Sequence, residues 1–132
     1  MAEIRFLEFD EIIYIHSQEI LEANTLAEVR NKEDIFACIE APKASFDGAL
    51  LMDIFEMSVS YMISFCIRHP FTDGNKRVAL ASAIVFLNIN GYEIEEEYEC
   101  EFADLILKFL SHEMVKEDLV NIIRLRCINL NE

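Results

Sequence analysis

The chain reads HPFTDGNKR over residues 69–77, between two segments whose apolar residues recur at helical spacing. The preceding segment, Leu50 to Ile67, is mostly apolar and predicts a long, largely buried helix. The following segment, Asn75 to Asn90, predicts a second helix, and Gly91 is placed to end it. Pro70 disfavours helical conformation at the residue before it and so separates the two segments. The sequence therefore predicts two central helices joined by a short loop.

This loop concentrates chemistry that no other part of the chain matches. His69 is its one side chain that titrates near neutrality, which makes it the natural general base for a hydroxyl group. Asp73 is its one carboxylate, and a hard oxygen ligand suits Mg²⁺ shared with the phosphates of a nucleotide. Lys76 and Arg77 can both bind phosphate oxygens, Lys76 as a point charge and Arg77 through a planar fork. A base, a metal ligand and anion donors are what transfer of a nucleotide's phosphate requires.

The start of the second helix is a predicted anion site. Asp73-Gly74 is a turn signal, and Gly74 adopts a positive φ without steric cost. We expect Asn75 to donate from its side chain and from its backbone N–H at the helix start. A helix N-terminus carries unpaired N–H groups and a partial positive charge, which suit phosphate. Two cations in the first turn would each cost an isolated helix roughly 0.3–1 kcal/mol, and an anionic ligand would offset that cost.

Each of these residues also has an ordinary structural interpretation. A His-Pro pair at a helix end is commonly structural, Asp-Gly is commonly a turn, and Lys-Arg is commonly a solvated face. The joint arrangement favours function, because structural accidents rarely supply a base, a metal ligand and an anion site within nine residues.

The loop resembles the motif of the Fic/Doc superfamily, whose core pattern is His-x-Phe-x-Asp/Glu-Gly/Ala-Asn-Gly/Lys-Arg. The match is complete over HPFTDGNKR and continues into ALASAIVFLNING. RFLEFDEIIYIHSQEI resembles the opening helix of the Doc (death-on-curing) toxin branch, and VRNKEDIFACIEAP resembles the segment that leads to the active-site flap. The resemblance implies one all-α domain over residues 1–132. In that domain a helical bundle holds the active-site loop between two central helices, beside a short flap.

The resemblance also implies a role for each residue of the loop. His69 would be the base on a target hydroxyl, and Asp73 would be the Mg²⁺ ligand, with ATP as the nucleotide. Asn75 would belong to an anion hole. The nucleotide-binding residues as a set would be Gly74, Asn75, Lys76 and Arg77. The segment Ala41 to Gly48 would be the flap over the active site, where Lys43 and Phe46 are candidates to contact an extended target segment.

Lys76 bears on which group is transferred. Fic proteins, which move AMP from ATP to a protein hydroxyl, usually have Gly at this position. Lys is the Doc feature, and it implies kinase-like transfer of the γ-phosphate to a Ser or Thr hydroxyl. The Doc branch acts on a threonine of translation elongation factor Tu, so a translation factor is the implied kind of target. Two positions depart from the Doc pattern: Gly74 is the Fic-like choice, and Val78 stands where Thr is common, which removes one hydroxyl from the helix start. Because of Gly74, AMP transfer to a protein hydroxyl stays open.

Two further functions stay open. Water in place of the target hydroxyl would give hydrolysis of a phosphate ester at the same metal site. A chain that kept only the fold would be a non-catalytic binding partner of an antitoxin-like protein, although the intact set of loop residues favours an enzyme. The sequence lacks the Ser/Thr-x-x-x-Glu-Gly/Asn string by which many Fic proteins inhibit themselves. We therefore expect a small antitoxin-like inhibitor from another chain.

Composition excludes several classes of protein. A net charge of −14 argues against direct binding of DNA or RNA, which needs a basic surface. No apolar run reaches the ~18 residues of a membrane helix, and the N-terminus lacks the pattern of a signal peptide. Four scattered cysteines without a CxxC spacing suggest reduced thiols and a cytoplasmic protein. A content of 53% hydrophobic residues with three Gly and two Pro favours a helical bundle.

Further elements are predicted outside the central pair. Phe9 to Glu22 is amphipathic, and His16 on or near its apolar stripe is expected to be buried and hydrogen-bonded. Phe71 is expected to face inward and anchor the loop. The other predicted elements are a helix over Lys32 to Glu40, a strand over Tyr92 to Ile94, and closing helices over Phe102 to Leu110 and Val115 to Leu130.

Overall fold

The computed structural model describes residues 3–23 and 27–131, so that the first two residues, considered above for a signal peptide, lie outside it. Within those ranges the α-helices are α1 (Phe9–Ala23), α2 (Lys32–Glu40), α3 (Ile54–Arg68), α4 (Asn75–Ile89), α5 (Glu99–Leu110) and α6 (Lys116–Arg126). Four short strands accompany them: β1 (Ser45–Phe46), β2 (Ala49–Leu50), β3 (Tyr92–Ile94) and β4 (Cys127–Asn129). The predicted all-α class is confirmed.

The central pair of the bundle is α3 and α4, which pack against each other more extensively than any other two described elements. α3 is apolar around most of its circumference, and helices of that kind are buried. Asp53 and Glu56 form a reciprocal cap at its start, each side chain accepting the other residue's backbone N–H at 2.8 and 3.0 Å. α1 and α5 pack on α4, while α2 and α6 pack on α3. The loop between α3 and α4 is therefore fixed by buried helices on both sides.

Three predicted helix bounds were wrong, two of them because of a strand pairing. The third is the start of α5, which begins at Glu99 rather than Phe102, directly after a 3₁₀ turn. The first central helix begins at Ile54 rather than Leu50, since Leu50 pairs with Ser45 in the β1–β2 hairpin. The last helix ends at Arg126 rather than Leu130, because Cys127–Asn129 pairs antiparallel with Tyr92–Ile94. The predicted strand at Tyr92–Ile94 thus has its partner in a segment that the pattern assigned to a helix.

The predicted flap, Ala41 to Gly48, contains β1 and the turn of the β1–β2 hairpin, whereas β2 lies directly after it. Asp47 and Gly48 form its two-residue turn, with φ values of 52° and 82°. Two successive positive φ values are typical of the tight turn that matches the twist of paired strands. Phe46 precedes this turn and is 76% exposed.

The four cysteines are free thiols, and Cys38 and Cys66 lie in the core. Burial raises the pKa of Cys38 to about 12, so its thiol stays protonated. Among the helices of the described ranges, none is both long and apolar enough to cross a membrane.

Candidate active site

The loop between α3 and α4 forms one side of an open pocket of about 390 Å³. All six loop residues predicted from the sequence to take part in catalysis or in metal or nucleotide binding line it. Thr72 also lines it and was missed, because a hydroxyl in a loop carries no signal of its own. The lining residues are His69, Thr72, Asp73, Gly74, Asn75, Lys76 and Arg77.

The N-terminus of α4 opens toward this pocket. Gly74 precedes the helix with a φ of 81° and has no side chain to cap it. The first turn contains no acidic residue, and Lys76 and Arg77 are exposed within it. Uncapped backbone N–H groups and two cations therefore face one space, which is the arrangement that binds phosphate. This concentration of positive charge belongs to a chain whose net charge is −14.

The side chain of Asn75 connects the loop to the start of α4. The amide is buried, its Oδ1 accepts the Phe71 backbone N–H at 3.0 Å, and its Nδ2 donates to the Phe71 carbonyl at 2.9 Å. The side chain thus ties the loop to the helix, and its donation to an anion stays a prediction. The backbone N–H of Asn75 remains as the donor at the helix start.

Asp73 is exposed at the rim of the pocket. Its Oδ1 accepts the Gly74 N–H at 2.8 Å, and no hydrogen bond within the described ranges involves its second carboxylate oxygen. These ranges contain no cluster of three or more metal-ligating side chains. A Mg²⁺ ion at Asp73 would therefore take its other ligands from phosphates and water, which is common for Mg²⁺ in nucleotide sites.

His69 ends α3 in the left-handed conformation, with φ 49° and ψ 58°. Its backbone N–H donates to the Phe65 carbonyl at 3.3 Å, and its own carbonyl accepts the Arg30 Nε–H at 2.7 Å. Its imidazole is exposed and makes no hydrogen bond with the described residues. The imidazole is therefore not engaged by any described residue.

The segment before α2 holds the loop from the outside, which sequence reasoning missed. The backbone N–H groups of Arg30 and Asn31 both donate to the Pro70 carbonyl, at 2.7 and 3.0 Å. Thr72 N–H donates to the Glu28 carbonyl at 2.8 Å, and Glu28 N–H donates to Thr72 Oγ1 at 2.9 Å. The pairing joins residues about 40 positions apart, and no short-range pattern predicts it.

His16 on α1 holds the loop from the inside. As predicted, it is buried and hydrogen-bonded: its ring stacks on Phe71 at a centroid distance of 3.6 Å, and its Nε2 lies 3.1 Å from the Asp73 carbonyl. A carbonyl only accepts, so Nε2 carries the proton in this contact. Burial lowers the pKa of His16 and outweighs the opposing effects of the Asp73 carbonyl and carboxylate. Phe71 is 1% exposed and anchors the loop, which confirms its predicted inward orientation.

A family model described as the Fic/DOC family matches residues 6–87 of the chain, which include the whole loop, α3 and all but the last two residues of α4. The chain belongs to the Fic/DOC family. It is 28% identical to the protein kinase doc of Escherichia phage P1 over 121 residues, which are 92% of this chain and 94% of that protein. It is 27% identical to the toxin Doc of Mycolicibacterium smegmatis over 97 residues, which are 69% and 75% of the two chains. Both relatives are Doc proteins, which confirms the predicted resemblance to the Doc branch of the Fic/DOC family.

The two flap residues do not line the pocket that holds the Fic/DOC motif. Lys43 Nζ lies 3.2 Å from Glu40 Oε1 and 5.5 Å from the centre of the Phe6 ring. Its ammonium is thus engaged beside α2, while Phe46 projects into solvent. Contact of Lys43 and Phe46 with a target segment stays a prediction.

Proposed function

We propose that the chain is a Doc-like toxin that moves the γ-phosphate of ATP to a Ser or Thr hydroxyl of a target protein. A translation factor is the kind of target that the Doc resemblance implies. One observation supports the proposal above all: His69 with a free imidazole lines the same pocket as the uncapped start of α4 with Lys76 and Arg77. The names of the two relatives, a protein kinase and a toxin, agree with it.

The residues divide the work of such a transfer between them. The His69 imidazole accepts the proton of the target hydroxyl as that oxygen attacks the γ-phosphorus of ATP, and ADP leaves as its bond to that phosphorus breaks. The first backbone N–H groups of α4, with Lys76 and Arg77, hold the phosphate oxygens and stabilise the charge that develops on them. Asp73 would hold Mg²⁺, which neutralises phosphate charge when it is bound. The donor set fits ATP with Mg²⁺, since it offers one hard oxygen ligand beside a cluster of anion donors.

AMP transfer is the second candidate, and Gly74 is the observation that favours it. With no side chain and a φ of 81°, Gly74 keeps the Fic-like choice directly before α4. Lys76 opposes it, because a side chain and a charge at the usual Gly position would fill part of the space that phosphates occupy. We therefore place γ-phosphate transfer first.

Regulation by a second protein completes the proposal. The chain has no inhibitory string of its own, and its pocket is open. A small antitoxin-like partner would insert a segment into the site, and a locally basic character would suit the net charge of −14.

The test is to incubate the protein with γ-labelled ATP and Mg²⁺, with and without a bacterial lysate, and to follow the label. We expect a labelled lysate protein, and we expect it only when the chain and the lysate are both present. Release of free phosphate without lysate and without labelled protein would instead identify a hydrolase. The same incubation is repeated with α-labelled ATP. If neither the γ-label nor the α-label leaves ATP, the result would favour the non-catalytic binding partner.

A further inference from the structure

His69 has a backbone conformation that its own sequence does not favour. Its φ of 49° places a non-glycine residue in the left-handed region, and Pro70 directly follows it. L residues pay a steric penalty there, and a following proline restricts the preceding backbone toward extended conformations. Something outside the pair must therefore hold His69 where it is.

Arg30 makes the contacts that can do so. Its Nε–H donates to the His69 carbonyl at 2.7 Å, and its Nη2 donates to the Arg68 carbonyl at 2.8 Å. Its backbone N–H donates to the Pro70 carbonyl at 2.7 Å. One residue thus contacts three successive carbonyls, and its guanidinium bridges the carbonyl of Arg68, the last residue of α3, and that of the cap residue His69. A cation at a helix C-terminus also meets the negative end of the helix dipole.

A neighbouring carboxylate fixes the guanidinium. Arg30 Nη2 lies 3.3 Å from Asp34 Oδ2, and Arg68 Nη1 lies 3.4 Å from Asp34 Oδ1. Both arginines share this carboxylate and are 49% exposed, but only the Arg30 side chain reaches loop carbonyls. Arg68 is therefore a matched control for Arg30 in charge, exposure and salt-bridge partner.

We propose that Arg30 is a positioning residue, whose guanidinium holds His69 in its left-handed conformation and thereby aims the imidazole at the pocket. The consequence for turnover rests on the proposed transfer reaction. The consequence for the backbone of His69 does not, since it follows from the hydrogen bonds alone.

The backbone claim is tested by NMR on protein labelled only at histidine. The chain has three histidines, so the signals of His69 can be assigned with one His69→Ala variant. A positive φ brings the amide proton close to Hα of the same residue and gives a strong cross-peak between them. We expect this cross-peak in the wild type and in Arg68→Ala, and its loss in Arg30→Ala. Arg30→Lys, which keeps the charge but cannot span two carbonyls, should be intermediate.

The catalytic claim is tested on the same four proteins by label transfer. We expect Arg30→Ala to lower kcat by about 10- to 100-fold, because a misplaced base costs rate. The KM for ATP should change little, since Lys76 and Arg77 remain. Arg30→Lys should recover part of kcat, and Arg68→Ala should resemble the wild type.

Three results would overturn the proposal. An unchanged His69 cross-peak in Arg30→Ala would show that the guanidinium does not hold the backbone. Equal losses in Arg30→Ala and Arg68→Ala would assign the effect to the shared charge cluster. A rise in the KM for ATP at unchanged kcat would make Arg30 a nucleotide contact. If the wild type transfers nothing, the proposed reaction fails, and the NMR arm still decides the role of Arg30 in the backbone. If Arg30→Ala does not fold, Arg30→Lys carries both readouts.

Discussion

At the level of single residues, His69 is the group on which the proposed chemistry depends. Its imidazole has no hydrogen-bond partner among the described residues and lines the pocket. We expect His69→Ala to fold normally, because the side chain is exposed, and to lose about 10²- to 10⁴-fold in transfer rate. The rate is measured with labelled ATP and lysate, and the fold by circular dichroism.

His112 provides the matched control. It is also an exposed histidine with a positive φ, 64°, but it lies in the turn between α5 and α6. His112→Ala should keep the wild-type rate. Near-normal turnover by a folded His69→Ala variant would remove His69 from the role of base.

Asp73 is the residue predicted to bring Mg²⁺ to the phosphates. Because the described residues offer no other clustered ligands, Asp73→Ala should remove the Mg²⁺-dependent part of ATP affinity. Titration calorimetry with and without Mg²⁺ measures this difference for both proteins. If both bind ATP equally well under both conditions, Asp73 is only a turn residue that accepts the Gly74 N–H.

At the level of elements, the contact between α1 and the loop predicts a dependence of stability on pH. Burial lowers the pKa of His16 below its usual value of 6.5, so the folded protein takes up this proton less readily than the unfolded chain. As the pH falls through about 6.5, the unfolded chain gains the proton first, and the free energy of unfolding decreases. His16→Gln keeps a donor but does not titrate. The decrease should therefore be smaller in that variant than in the wild type.

Urea unfolding at a pH near 7.5 and again near 5.5 gives the decrease in the free energy of unfolding for each protein. Comparing the decrease in the wild type with that in His16→Gln cancels the contribution of the carboxylates, which both proteins share. His112→Gln is the control and should show the wild-type decrease. The same decrease in His16→Gln as in the wild type would mean that His16 does not resist protonation in the folded protein.

The elements also show how far the sequence alone could lead. Local patterns gave α1, α2 and α4 almost to the residue, because their apolar spacing and end signals lie within the segments themselves. They failed at Cys127–Asn129, where pairing with Tyr92–Ile94 overrides a helical pattern. The residues of the pocket were predictable because they are contiguous. The hydrogen bonds of Arg30 and Glu28 to the loop were not predictable, since they join distant segments through backbone atoms that every residue carries.

At the level of the whole molecule, the proposed toxin activity predicts an effect on growth. Expression of the chain without a partner should slow growth of a host that contains the target, and His69→Ala should relieve the effect. Co-expression of the proposed inhibitor should do the same without altering the amount of protein. Harmless high-level expression of a protein that modifies a host target in vitro would contradict the prediction.

The proposed reaction of this chain is transfer of the γ-phosphate, and Lys76 is proposed to set that choice. The most direct measurement compares protein-bound label from γ-labelled and α-labelled ATP, for the wild type and for Lys76→Gly. We predict label from the γ position and little from the α position in the wild type. We also predict a shift toward the α-label in Lys76→Gly, because that change restores the residue usual in AMP-transferring relatives. Transfer of the α-label by the unmodified protein would contradict the kinase assignment and make the chain an AMP transferase.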